Sequence, residues 1–317
     1  MNPWLPVAPC MPTTCLIPSD ARAAWPRRTL RLAAAVVLIL AGTAFALLTH
    51  VLGTAERVRL TSIWSRLLLR ALGVRIEVRQ GFAFLAGSAE RGFAPVSRAK
   101  LVVAGSVSGV SGVSGVSGVS GVTGVTGSGA APLIVANHVS WLDPLVMAAA
   151  LPCRLLAKRE VQGWPVIGML AAGSGALFID RDRLSALPEA VGEVARALGE
   201  GHPVMAFPEG TTWCGREMGA FRPAVFQAAL DAEAPVRPVA LRYVDVDGAL
   251  ATGSTFVGDD TLLASIQRVV AFRRLVVEVT MLPPVTAENR RVLAWKAEAS
   301  VASVIMESAR HTVPAAA

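Results

Sequence analysis

From Pro132 onward the sequence alternates short apolar runs with stretches of helical periodicity. PLIVAN, CRLLAK, GALFID, HPVMAFP, VRPVALRYVDV and LVVEVTML read as strands. DPLVMAAAL, VIGMLAA, LSALPEAVGEVARALGEG, RPAVFQAALDA and TLLASIQRVVAF between them read as helices, with Asp260 a candidate cap for the last of these. Thr286 can start a final helix that runs to about Ala309. An earlier run, VRIEVRQG at 74–81, reads as a further strand. Strand–helix alternation of this kind implies an α/β domain: a mixed, largely parallel sheet flanked by helices.

The 317 residues suffice for one large domain or two small ones and for a real core. Apolar residues make up 53% and charged residues 17%, and the mean hydropathy is +0.52. Disorder of the whole chain is excluded, because disordered chains are poor in apolar residues and rich in charge. Basic residues number 30 against 23 acidic ones, a net charge of +7, and only Lys100, Lys158 and Lys296 are lysines. Such a balance suits an anionic membrane surface or phosphate-bearing substrates. With one tyrosine and no repeated Arg/aromatic pattern, no nucleic-acid partner is expected.

The first 131 residues are organised differently. Residues 1–28 are rich in proline and read as a disordered tail. In the next part, 29–73, Leu32 to Thr49 carries no charge, and 18 helical residues span about 27 Å, close to a bilayer core. A secretory signal is the rival reading; the length of the run and its distance from the start favour a retained N-terminal membrane segment. Four arginines precede it (Arg22, Arg27, Arg28, Arg31) and four follow it (Arg57, Arg59, Arg66, Arg70), so the positive-inside rule sets no orientation. In 56–73, Leu60, Ile63, Trp64, Leu67, Leu68 and Leu72 recur at helical spacing with Arg59, Arg66 and Arg70 mostly on another face. That pattern fits a basic amphipathic helix on a membrane, or an ordinary helix packed on the domain. The part 74–131 holds the first strand and then a Val-Ser-Gly tract with glycine at every third position from Gly109 to Gly127. A proline-free period of three fits neither collagen nor one face of a helix or strand, so the tract reads as a low-complexity linker.

Cys10, Cys15, Cys153 and Cys214 are too scattered in sequence for a metal-binding or redox pair, and the four histidines show no metal spacing. They read as free thiols of a reducing compartment, with no metal site.

Four short blocks could carry chemistry. Asn137-His138-Val139-Ser140-Trp141-Leu142-Asp143-Pro144 lies where a strand ends and a helix begins. On a regular helix residues five apart are separated by about 140°, so His138 and Asp143 would not meet there. Pro144 disfavours helical dihedrals at Asp143, and Ser140 or Asp143 is a natural helix cap. His138 then sits on the turn, where the carboxylate of Asp143 can fix one ring nitrogen and leave the other to remove a proton. A solvated loop histidine beside a capping aspartate is the plain alternative. Phe207-Pro208-Glu209-Gly210-Thr211-Thr212 also follows a strand, at the sheet edge where ligands bind in α/β folds, though it could be only a turn. Gly175–Arg181 is a strand with a cation just past its end; Arg181 can grip a phosphate or merely pair with Asp180 or Asp182. Val236-Arg237-Pro238-Val239-Ala240-Leu241 is an apolar strand whose proline is tolerated at an edge or a start.

In this order NHVSWLD, GALFIDR, FPEGTT and VRPVAL resemble the signature blocks of the glycerolipid acyltransferase family, of the kind found in bacterial 1-acyl-sn-glycerol-3-phosphate acyltransferases. The resemblance covers roughly 56–285 apart from the glycine tract, and FRPAVFQAAL continues it. It implies that 132–317, with the strand at 74–81, is an acyltransferase catalytic domain. It implies His138 as general base, Asp143 as its partner, and a lysophospholipid site containing Phe207, Pro208, Glu209, Gly210 and Thr211, with Arg181 on the glycerol phosphate. It also implies action at the cytoplasmic face of the cell membrane, acyl-CoA or acyl carrier protein as donor, and no metal or organic cofactor for the chemistry.

The residues agree with that chemistry. A thioester is already activated, so an alcohol deprotonated by a positioned histidine can attack it without a covalent enzyme intermediate. The chain has no G-x-S-x-G elbow and no phosphate-binding glycine loop, which argues against serine hydrolase and kinase chemistry. Glu209 beside a phosphate would repel it, so its expected task is to orient Arg181 or a backbone group. The expected activity is acyl transfer to lysophosphatidic acid, giving phosphatidic acid. Its rivals are the same transfer to another lysolipid, such as lyso-ornithine lipid, and a non-catalytic membrane lipid-binding protein.

Overall fold

The computed structural model describes residues 6–19, 21–47, 51–81, 129–180 and 183–310. The glycine tract, Arg181 and Asp182, and Leu48 to His50 at the end of the apolar run lie outside them. In chain order the elements are α1 (Pro12–Cys15), α2 (Trp25–Ala46), α3 (Thr54–Leu72), β1 (Val74–Gln80), β2 (Leu133–Ala136), α4 (Asp143–Ala150), β3 (Arg154–Lys158) and α5 (Ile167–Gly173). There follow β4 (Leu177–Ile179), α6 (Leu187–Gly199), β5 (Val204–Ala206), α7 (Phe226–Asp231), β6 (Val236–Val244), α8 (Leu262–Ala271), β7 (Leu275–Met281) and α9 (Arg290–Arg310).

The seven strands form one sheet in the order β1-β7-β6-β2-β5-β3-β4. Every pair is parallel except β6 with β7. The sheet divides the core into two layers, and β2 shows why its run is wholly apolar: Ile134 and Ala136 face one layer, Leu133 and Val135 the other. On the first side lie Leu68, Leu69 and Leu72 of α3, Val146 and Met147 of α4, and Val269 of α8. On the second lie Val194 and Leu198 of α6, Phe226 of α7, and Leu293 and Ala297 of α9. Two-sided burial is what a central parallel strand requires.

Several expectations change. Residues 1–28 do not form a disordered tail over their described part: Cys10 and Ala23 are buried, the Ala23 N–H donates to the Ala271 carbonyl at 2.8 Å, and Arg22 bridges to Phe272. Asp260 does not cap α8. Thr261 does, accepting from the Ala264 N–H at 3.3 Å, while Asp260 pairs with Arg268. The last helix begins at Arg290 rather than near Thr286, because Asn289 Oδ1 accepts from the Arg291 and Val292 N–H groups. Pro238 is neither at an edge nor first in its strand; it is the third residue of β6, between β2 and β7. Its carbonyl accepts from Leu282 on the β7 side, where the ladder with β7 starts only at Val239. The missing N–H therefore falls just outside the ladder.

Of the two readings of 56–73, the structure takes packing on the domain. In α3, Leu68, Leu69 and Leu72 are buried together with the small Ser62 and Ser65, while Ile63 and Leu67 are exposed. Arg66 donates to the Ala149 carbonyl of α4 at 2.7 Å. α2 is long and apolar enough to cross a membrane by length and composition, with a mean hydropathy of 2.0 over its best window. It packs along one side on α3, where Trp64 Nε1 donates to the Leu38 carbonyl at 2.8 Å. Its other side leaves Leu30, Val36, Val37 and Leu40 exposed. Near its start, buried Arg31 donates to the carbonyls of Val270 and Phe272 at 2.8 and 2.7 Å, which ties α2 to the end of α8.

Candidate active site

β2 ends at Ala136 in the middle of the sheet, and Asn137 staples that end to β6. Its Nδ2 donates to the Leu241 carbonyl at 3.0 Å and its Oδ1 accepts from the Leu241 N–H at 2.8 Å. The next residue, His138, lies on the turn before α4, as the sequence requires. His138 Nδ1 donates to Asp143 Oδ2 at 2.7 Å.

Asp143 is completely buried and forms the hub of the turn. Besides the imidazole, Oδ2 accepts from the N–H groups of Val139 at 2.6 Å and Ser140 at 2.8 Å. Oδ1 accepts from the hydroxyl of Tyr243, on β6, at 2.6 Å. Asp143 is the first residue of α4 rather than its cap; Leu142 takes that position without a side-chain bond, and Asp143 reaches back over the turn instead. Burial, and the Asp143 carboxylate beside it, hold the Tyr243 phenol well above its usual range, so the hydroxyl stays protonated and a donor. A buried carboxylate with four donors is a fixed negative charge. It sets the His138 tautomer with the proton on Nδ1 and leaves Nε2, unbonded among the described residues, to accept one.

The turn is held from outside as well. Ser140 Oγ donates to the Ser254 carbonyl at 3.0 Å, the Phe256 N–H to the Val139 carbonyl at 2.9 Å, and the Trp213 N–H to the His138 carbonyl at 2.8 Å. The His138 ring stacks on Phe207, with centroids 4.3 Å apart and planes 19° from parallel.

Phe207 opens the third block in chain order, FPEGTT, which directly follows β5. Gly210 adopts φ +76°, a left-handed conformation that glycine adopts without strain. Phe207, Pro208 and Gly210 line a cavity of about 300 Å³ together with Asp180, Arg222 and Arg290. Thr211 is half-buried just beyond it. Glu209 does not line the cavity. It is 2% exposed, and its carboxylate accepts the His138 N–H at 2.7 Å and the Gly219 N–H at 3.0 Å. Of the two tasks expected for it, orienting a backbone group is the one the geometry carries, and the group is the turn at His138. Burial pushes the Glu209 carboxyl well above its ordinary range, against the pull of those two N–H donors.

The first and third blocks thus meet at His138, while Arg181 lies outside the described residues. Asp180, its neighbour, lines the cavity. Sequence reasoning placed Asn137 in the first block without a role, and missed Tyr243 and the two lining cations, Arg222 and Arg290. Tyr243 had a readable signal: it is the chain's single tyrosine, inside an apolar strand, where a buried hydroxyl needs a partner.

Residues 123–242 match the acyltransferase family. A 1-acyl-sn-glycerol-3-phosphate acyltransferase of Neisseria gonorrhoeae is 35% identical over 180 residues, which is 56% of this chain and 70% of that protein. A lyso-ornithine lipid O-acyltransferase of Pseudomonas aeruginosa is 36% identical over 192 residues, 58% of this chain and 73% of that one. The crystal structure of the 1-acyl-sn-glycerophosphate (LPA) acyltransferase PlsC from Thermotoga maritima superposes with a TM-score of 0.57. It covers 92% of this chain and 97% of its own, at 15% identity, and so speaks for the fold alone.

Proposed function

The chain belongs to the acyltransferase family that includes the bacterial 1-acyl-sn-glycerol-3-phosphate acyltransferases, and we propose that it moves a fatty acyl group from acyl-CoA or acyl carrier protein to the free hydroxyl of lysophosphatidic acid, giving phosphatidic acid. The observation that carries the reading is the His138–Asp143 pair at 2.7 Å, with Nε2 left to act and the ring stacked on the wall of the cavity. Nε2 takes the proton of the acceptor hydroxyl as its oxygen attacks the thioester carbonyl. The tetrahedral intermediate collapses, the C–S bond breaks, and the thiolate leaves and takes up a proton. Asp143 stabilises the imidazolium formed on the way. A positioned base of this kind contributes about 10²–10⁴-fold.

The cavity beside His138 is the acceptor site in this reading, with Phe207, Pro208 and Gly210 as its wall and Asp180, the residue before Arg181 in sequence, on its lining. Arg222 and Arg290 add positive charge suited to the acceptor's phosphate. α2 holds the enzyme on the membrane, with the active site on the cytoplasmic face where acyl thioesters are found.

A second acceptor deserves equal testing, because the relatives at 35% and 36% identity carry two different names. Lyso-ornithine lipid has no phosphate and would leave the arginines of the cavity without their partner. Purified protein is given a labelled acyl donor and a panel of lysolipids, and the product is read by mass. Phosphatidic acid as the main product supports the first reading; acylated ornithine lipid replaces it with the second.

A further inference from the structure

Three of the four cysteines, far apart in sequence, converge at one point. The sulfurs of Cys10, Cys15 and Cys214 all lie within 4.8 Å of one another. Cys10 and Cys214 are each 5% exposed and Cys15 is half-buried, and none forms a disulfide. Around them stand Leu16, Trp213 and Val257, all apolar.

Separate elements bring the sulfurs together. α1 is a single helical turn, closed by the Cys15 N–H on the Met11 carbonyl at 2.9 Å; Cys15 is its last residue and Cys10 lies two residues before its first. The amino-terminal segment is seated on the domain at Gly258, which adopts φ +59° and where a Cβ would stand 3.0 Å from the Cys10 carbonyl. It is held again at Ile17, whose N–H donates to Thr252 Oγ1 at 3.2 Å. Cys214 comes from the loop after the Phe207–Thr212 block.

We propose that Cys10, Cys15 and Cys214 form a three-thiolate site for one Zn²⁺ ion, with the fourth position open to water, and that the ion fastens the amino-terminal segment to the active-site loop. Tetrahedral zinc with Zn–S bonds of about 2.3 Å sets its sulfurs about 3.8 Å apart, so each sulfur needs to move by less than about 1 Å to close on the ion. Binding releases the three thiol protons, and the ion with three thiolates carries a net single negative charge. The link reaches the chemistry in two steps, since Trp213, beside Cys214, donates its N–H to the His138 carbonyl.

The test uses the full-length protein in detergent. It is stripped with chelator under reduction, and then titrated with Zn²⁺ or with Co²⁺ as a spectroscopic stand-in. The expected result is one zinc per chain and a cobalt–thiolate charge-transfer band. Trypsin cleavage after Arg22 should also slow when zinc is bound. Cys10→Ser, Cys15→Ser and Cys214→Ser should each weaken binding by more than about a hundredfold, since even loss of an outer partner costs about 10–100-fold. Cys15→Ser, at the half-exposed position, guards against a variant that fails to fold. Cys153→Ser, at the cysteine outside the cluster, should bind as the wild type does. A folded wild type that takes up no cobalt band, a band that survives in Cys15→Ser and Cys214→Ser, or a Cys10–Cys214 disulfide that forms in air despite saturating zinc would overturn the proposal.

Discussion

Tyr243 donates its hydroxyl to Asp143 Oδ1 at 2.6 Å, across a hundred residues of sequence. The bond ties the interior strand β6 to the first residue of α4, and Asp143 in turn holds His138. Replacing Tyr243 by Phe leaves the shape of the core but removes one of four donors from a buried carboxylate. A hydrogen bond to a charged group contributes about 1.5–3 kcal/mol, so urea unfolding should show a loss of that order. Turnover should fall less than on removal of His138 itself. A Tyr243→Phe protein as stable and as fast as the wild type would show that Asp143 does not need this donor.

His138→Ala should lower turnover by about 10²–10⁴-fold while the protein stays folded. The ring is partly exposed on a turn, and its main packing partner is Phe207. Single-turnover acyl transfer measures the effect, with thermal unfolding as the control. Activity above a tenth of wild type would remove the base role.

Strand and helix order was legible because the central strand runs are apolar enough to be buried on both faces, as Leu133 to Ala136 are. The His138–Asp143 contact was legible because both residues lie on one short connection between β2 and α4, so neighbours in sequence settle it, although Asp143 is helical despite the proline that follows it. The partners of Tyr243 and Glu209 were not legible, because Asp143 lies a hundred residues from Tyr243 and His138 seventy-one from Glu209, and only the sheet order decides who meets whom. The cysteine cluster failed for the same reason: residues 10, 15 and 214 share no local pattern, and the proline-rich start gave no sign that it folds back on Gly258. Local spacing reports local geometry, and a central parallel sheet gathers its site from strand ends far apart in the chain.

Glu209 gives a pH signature. Its carboxyl is raised in the folded protein by burial, so between its ordinary value of 4.5 and the raised value the folded state holds more protons than the unfolded chain. Its contribution to stability is full below the ordinary value and is lost as pH rises through the folded one. Glu209→Gln cannot titrate, and it also sets an amide NH₂ against one of two backbone N–H donors. The variant should be less stable, and its deficit relative to wild type should shrink as pH rises above the ordinary carboxyl value of 4.5 and through the raised one. Thermal unfolding of both proteins across that range tests this; a deficit that widens with pH contradicts the raised carboxyl.

Membrane attachment through α2 predicts that high salt leaves the protein in the pellet. The exposed side chains Leu30, Val36, Val37 and Leu40 are apolar, and salt screens only charge. Release by salt alone would mean that the arginines, and not α2, do the holding.

The acceptor's charge is the last matter open to a direct test. Arg222 is fixed at its backbone, where its N–H donates to the Pro208 carbonyl at 3.0 Å and Pro223 follows. Arg290 opens α9 and lines the same cavity, and Arg181 follows the cavity residue Asp180. If the acceptor carries a phosphate, each arginine that touches it supplies a charge-assisted bond, and losing one should raise the acceptor's apparent KM by about tenfold or more. The donor's KM should hardly move, because the thioester carbon reacts at His138 and not at the phosphate. Arg222→Ala and Arg181→Ala are compared, each with lysophosphatidic acid and with lyso-ornithine lipid as acceptor. A loss confined to the phosphate acceptor assigns these arginines to its headgroup. Equal losses for donor and acceptor would mean that the substitutions disturb the turn around Pro208 rather than a phosphate site.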